Sequence, residues 1–166
     1  MTSVQADVVE EKLQIPLDLS QWFDKTTLLS WMNEELETLD WANPELLACL
    51  RTHPAYQPRI WLGLLTFAYA TGTFESEEIV RLCYTDEIFR CLCTGPIPLA
   101  SELGRFRRDN RGLLRWLLLQ TLKRALKEKF GLGGAFLPAG LRHFLTETAG
   151  SRLDIARHVD RAAQGA

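Results

Sequence analysis

Five arginines fall within eleven residues: Arg105, Arg107, Arg108, Arg111 and Arg115. They sit in the stretch SELGRFRRDNRGLLRW, which runs from Ser101 to Trp116. A guanidinium stays charged at any relevant pH, and its planar fork matches two phosphate oxygens at once. A run this dense can track a nucleic-acid backbone, since each phosphate it neutralises releases a counterion. The competing reading of the same residues is a solvated or salt-bridged helix face.

The wider charge pattern leaves both readings open. Residues 1–50 carry ten acids against two lysines, a net −8. Residues 105–129 carry nine bases against Asp109 and Glu128, a net +7, in a chain whose formal net charge is only −2. Such asymmetry fits an anionic partner for the basic segment, and equally an attraction between the two regions.

Other chemistry is thin. His53, His143 and His158 are far apart and show no recurring ligand spacing. Cys91-x-Cys93 is not the C-x2-C of zinc modules, and no second pair accompanies it. Cys49, Cys83, Cys91 and Cys93 each stand among apolar residues, so the expectation is buried free thiols with no metal and no disulfide. Glu34, Glu35 and Glu37 read as a solvated acidic helix face rather than an acid/base pair. The GLGG run, Gly131–Gly134, lacks the Lys-Ser/Thr and the preceding strand that a phosphate loop needs. No catalytic residue, cofactor or metal is assigned, and the chain is read as a non-enzyme.

The elements that must hold the arginines are helices. With 166 residues and 46% apolar content, the chain is long enough for one domain with its own core. Residues 1–23 read as a flexible or extended arm, 24–130 as a helical domain, and 131–166 as a Gly-rich loop with one or two C-terminal helices. A first helix follows Asp24 and runs to about Asp40, and a short one spans Glu45–Arg51. Pro58 opens the segment PRIWLGLLTFAYATG, apolar on nearly every side and therefore the buried centre, with Gly72 closing it. Ser76 caps a helix to Cys83, Thr85 caps one over Asp86–Cys93, and Pro98 starts one to about Asp109. Asn110 and Gly112 mark a break before a long helix to Phe130. In the last helix, 151–163, Arg152, Arg157 and Arg161 oppose Leu153, Ile155, Ala156 and Val159. No β-alternation appears, so the fold class is all-α, a single multi-helix domain.

Asp86–Cys93 and Pro98–Asp109 are candidates for a helix-turn-helix-like unit, the second being the recognition helix. Its first turns carry Leu99, Ala100, Ser101 and Glu102, so only Ser101, Glu102 and Arg105 can hydrogen-bond base edges. The full expected DNA-contacting set is Ser101, Glu102, Arg105, Arg107, Arg108, Arg111 and Arg115, with phosphate contacts dominant. Phe106 and Trp116 are assigned to the core.

A series of spaced residues carries a resemblance: Tyr56-x-Pro58, Leu64-Leu65, Tyr69-x-x-Gly72, Ser76-x-x-Ile79, Asp86-x-x-Phe89, Leu92-x-x-Gly95, Pro98, Leu103 and Phe106-Arg107-Arg108. Over about Asn43 to Leu122 this resembles the N-terminal domain of InsH-type transposases, which open many bacterial insertion-sequence enzymes. The resemblance implies a helical region that precedes a DDE catalytic domain, binds DNA at the element ends and self-associates. Glu77 stands where the family has a basic residue, and Leu99 and Ala100 replace polar ones. No strand-borne Asp, Asp, Glu set can be placed in an all-helical chain. The expectation is therefore a catalytically inactive, transposase-derived DNA-binding domain.

Its expected partners are duplex DNA, a second copy of itself or a full-length transposase. The alternative is a protein–protein interaction or oligomerisation module, in which the acidic helix 25–40 and the C-terminal helix modulate such a transposase. Met1–Lys12 has no basic n-region or apolar h-region, and Ile60–Ala70 is far shorter than the ~18–20 residues that span a bilayer. No membrane association is expected, and the location is read as cytoplasmic, on the nucleoid.

Overall fold

The computed structural model of the chain describes residues 14–40, 57–134 and 136–164. The helix expected over Glu45–Arg51, together with His53 and Cys49, lies outside the described residues. Among the described residues there are seven α-helices: α1 (Lys25–Thr38), α2 (Pro58–Ala70), α3 (Ser76–Thr85), α4 (Glu87–Leu92), α5 (Ala100–Asp109), α6 (Arg111–Phe130) and α7 (Ala139–Gln164). No strand occurs among them, and an isolated antiparallel bridge pairs Asp18 with Thr71. The all-α reading holds.

Local chemistry sets most of these limits. Pro58 occupies the first turn of α2, where its missing N–H costs nothing. Gly72 ends that helix at φ +83°, with the Thr73 N–H reaching back to the Ala68 carbonyl at 2.9 Å. The Asp86 carboxylate accepts from the N–H groups of Ile88 and Phe89 and so caps α4, one residue later than expected. Asn110 separates α5 from α6, where the break was anticipated.

The core forms around α2. From Trp61 to Ala70 every residue of it is buried, Trp61, Leu64, Leu65, Phe67 and Ala68 included. It is enclosed by α1, α4, α6 and α7. Gly63 permits the close approach of α1: a Cβ there would lie 3.1 Å from Leu36 Cδ1. The edge of Trp61 meets Phe106 of α5, ring centroids 5.5 Å apart. α6 and α7 form an antiparallel pair, and α7 runs on past the start of α6 to reach α5 and α3.

Two expectations change. Cys91 is exposed, whereas Cys83 and Cys93 are buried; burial first, then the neighbouring Cys93, pushes the Cys83 thiol up to about 12. Arg152 is not on the polar face of α7. It is 1% exposed and donates to the carbonyls of Pro16, Leu17 and Tyr69 at 2.8, 2.7 and 2.5 Å. Burial lowers its pKa to about 10, which still leaves it charged at neutral pH. One side chain thus ties residues 16–17 and the end of α2 to α7, and Leu19 behind them is fully buried.

Two stability measurements follow. Leu64→Ala should cost about 2–5 kcal/mol in urea unfolding, the range for a large core truncation. Arg152→Ala should cost about 3 kcal/mol, because the buried Tyr69 carbonyl and the partly buried carbonyls of Pro16 and Leu17 lose their donor. Arg152→Lys, with one point of charge for three acceptors, should fall between. Wild-type stability in the alanine variant would contradict the role assigned to Arg152.

Candidate nucleic-acid interface

The arginine run spans the end of α5 and the start of α6, and helical geometry divides it. On α5, Ser101, Arg105 and Arg108 are spaced i, i+4, i+7 and share one face. Arg105, Arg108 and Ser101 are exposed on that face. Leu103, Phe106 and Arg107 turn the other way and are buried. The Glu102 carboxylate accepts from the Leu99 N–H at 2.9 Å, so it closes its own helix start.

Arg107 is only 3% exposed. Its guanidinium pairs with the Asp160 carboxylate, which comes from the far end of α7. The same carboxylate accepts from the Ser76 N–H at 2.8 Å and from the Ser76 hydroxyl at 2.6 Å. Ser76 is therefore the first residue of α3 rather than its cap, and the cap arrives from 84 residues away. Burial works against the Arg107 charge, but Tyr69 and Asp160 more than offset it, and its pKa moves up. Burial pushes the Tyr69 hydroxyl up to about 12 against the pull of the Arg107 charge.

On α6, Arg111 pairs with Asp154 of α7 at 3.0 Å, in a partly exposed setting. Arg115 is exposed, and its stem passes the α7 backbone at Gly150, where a Cβ would lie 3.8 Å away. Trp116, assigned to the core, is 37% exposed. The acidic helix α1 takes none of these five arginines as a partner among the described residues. Its Glu34 instead pairs with Arg124, which also lies over the Trp31 ring at 5.2 Å.

Thus, of the five arginines in the expected DNA-contacting set, Arg107 is a buried structural cation, and Arg111 is partly exposed and paired with Asp154. Arg105, Arg108 and Arg115 make no ion pair among the described residues. The helix-turn-helix geometry also departs from expectation. α4 and α5 are joined by seven residues, 93–99, longer than a 3–4-residue turn, and α5 packs chiefly on α3.

Between α5 and the last turns of α7 runs a groove of about 540 Å³. Ser101, Arg105 and Arg108 line one side, and Arg157, Arg161 and Gln164 the other. The partners Asp160 and Asp154 had a faint sequence signal. They are two of the three acids of a helix otherwise rich in arginine, and only the third dimension shows which arginine each one meets. Arg152 had a clearer one, since Leu145, Ala149, Arg152 and Ala156 follow i, i+4, i+7, i+11 and place it inside the apolar stripe.

Among the described residues no group of three or more His, Cys, Asp or Glu side chains could hold a metal ion, and no helix is long and apolar enough to cross a membrane. His143 and His158 are exposed. Residues 17–109, more than half of the chain, match the family model described as Transposase domain (DUF772). No curated protein and no solved structure matches the chain.

Removing the shared carboxylate should be costly. Asp160→Ala leaves a buried Arg107 charge without a counter-ion and the start of α3 without its cap. The expected loss is about 3–5 kcal/mol in denaturant unfolding. A loss under 1 kcal/mol would show that the contact carries no weight.

Proposed function

Because the chain belongs to the transposase domain family, matched over residues 17–109, we propose that it is a DNA-binding domain that holds duplex DNA mainly by its phosphates. Ser101, Arg105, Arg108 and Arg115 are the contacting residues in this reading. The observation that carries it is the division of the arginine run. Two of its guanidiniums are paired with carboxylates of α7, whereas Arg105 and Arg108 stay exposed beside Ser101 on one helical face and make no ion pair among the described residues. Charge left unneutralised on a fixed face is the electrostatic footprint of a polyanion.

Arg107, Arg111 and Glu102 support this face rather than touch DNA. Base reading is modest, because Ser101 and Arg105 are the groups at the start of α5 free to reach base edges. Catalysis is no part of the reading. Three of the carboxylates, those of Glu34, Asp154 and Asp160, are engaged with arginines at separate places, not gathered on a frame for two metal ions ~3.5–4 Å apart. The partners in this reading are duplex DNA, with the ends of an insertion element as sites, and a second copy or a full-length transposase. The location is the nucleoid.

Fluorescence anisotropy with a labelled duplex tests the proposal. The logarithm of the binding constant should fall with log salt at a slope of about −2 to −3, at ~0.9 per phosphate contacted. Arg108→Gln should weaken all duplexes alike and flatten the slope by about one unit. Arg105→Glu/Arg108→Glu should abolish binding. Duplex that fails to bind at low salt would instead favour an interaction module, for which the exposed Tyr84, Leu99 and Phe136 offer apolar contacts.

A further inference from the structure

The α7 side of the groove lies beyond the family match, which ends at residue 109. Arg157 and Arg161 stand one turn apart on it, with Gln164 in the next turn, the same i, i+4, i+7 spacing as Ser101, Arg105 and Arg108 opposite. Two polar stripes therefore face each other across one space. Of the charges that line the groove, Arg107 and Asp160 cancel as a pair, which leaves four guanidiniums against the carboxylate of Glu77, a net charge of +3. Asp160 is already spent on Ser76 and Arg107. Arg157 has one long contact with Asp154 at 3.8 Å, both half-exposed, while Asp154 lies closer to Arg111 at 3.0 Å. Arg161 makes no ion pair among the described residues.

Like charges gathered in one groove repel, and a bound anion removes that repulsion. Forked donors from two sides suit a group with several acceptor oxygens. We infer that α7 completes a phosphate clamp, in which Arg157 and Arg161 act with Arg105 and Arg108 on adjacent phosphates. The Ser101 hydroxyl and the Gln164 amide supply further donors. The Asp160 contacts fix the distance between the two stripes, because Asp160 lies between Arg157 and Arg161 and is anchored to α3 and α5. The clamp rests on the reading of the α5 face as phosphate-binding. The chemistry is shared by a nucleic-acid backbone and a free di- or polyphosphate.

The test uses the full chain with two probes, a labelled duplex in anisotropy across a salt series and inorganic pyrophosphate in a thermal-shift assay. With the clamp the wild-type slope steepens to about −4 to −5, and Arg157→Gln/Arg161→Gln should flatten it by about two units, to the −2 to −3 expected of the α5–α6 arginines alone, at ~0.9 per phosphate, and remove the rise in Tm with pyrophosphate. Arg161→Lys, which keeps the charge but loses the fork, should fall between. Arg142→Gln, an exposed site in the first turn of the same helix, should change neither readout. If Arg105→Gln/Arg108→Gln loses duplex binding while the α7 double variant keeps the wild-type slope and pyrophosphate response, the clamp is wrong and the proposed function stands. If the wild type ignores duplex DNA yet pyrophosphate stabilises it through Arg157 and Arg161, the clamp stands with a free phosphate as its ligand and the DNA reading falls. If neither probe binds, both fall.

Discussion

A single carboxylate, that of Asp160, joins three segments of chain. It receives the backbone and hydroxyl of Ser76 at the start of α3 and the buried guanidinium of Arg107 near the end of α5. A largely buried ion pair such as this one brings little net stability compared with an apolar pair of the same shape, but breaking it strands a charge. Its consequence is positional. With Arg107 held inward, helical geometry turns Arg105 and Arg108 outward, and α7 is fixed at the distance that makes a groove rather than a packed interface.

Arg152 does for the other end of the domain what Asp160 does here. Its donors go to carbonyls from residues 16–17 and from the end of α2, which brings the N-terminal arm, the core helix and α7 together. Both contacts use charge where apolar packing would hold elements together without fixing their register. α7 thus takes part in the core through Leu141, Leu145, Ala149, Leu153 and Ala156, and it also sorts the arginines into those that are neutralised and those that are not. The basic segment that looked anomalous in an acidic chain is in part an internal counter-charge. The acids that meet it belong to α7 rather than to the acidic first helix, which contributes Glu34 to Arg124 alone among the pairs described.

Much of this fold is legible in the sequence because its signals are local. Proline at the start of α2, Gly72 after it, the Asp86 cap and the Asn110 break each act within a few residues, and the apolar run of α2 can only be a centre. The transposase resemblance rests on such positions, and the family match agrees with it at that level. The site is less legible, since its deciding contacts span 43 to 84 residues. Periodicity places Ser101, Arg105 and Arg108 on one face without structural help, but it cannot say that Arg107 has a carboxylate waiting 53 residues further along the chain. Trp116 and Cys91 are exposed for a related reason: an apolar residue type tells of burial only when a neighbouring element covers that side of its helix.

The central claim is that the arginine run is two populations, one structural and one free for an anion. The most direct measurement follows the side-chain Nε–Hε resonances of the arginines by NMR while duplex DNA is added at low salt. Those of Arg105 and Arg108 should shift with DNA, while those of Arg107 and Arg152, sealed in the protein, stay where they are. Arg107 moving in step with Arg105 and Arg108, or none of the three moving at all, would contradict the account.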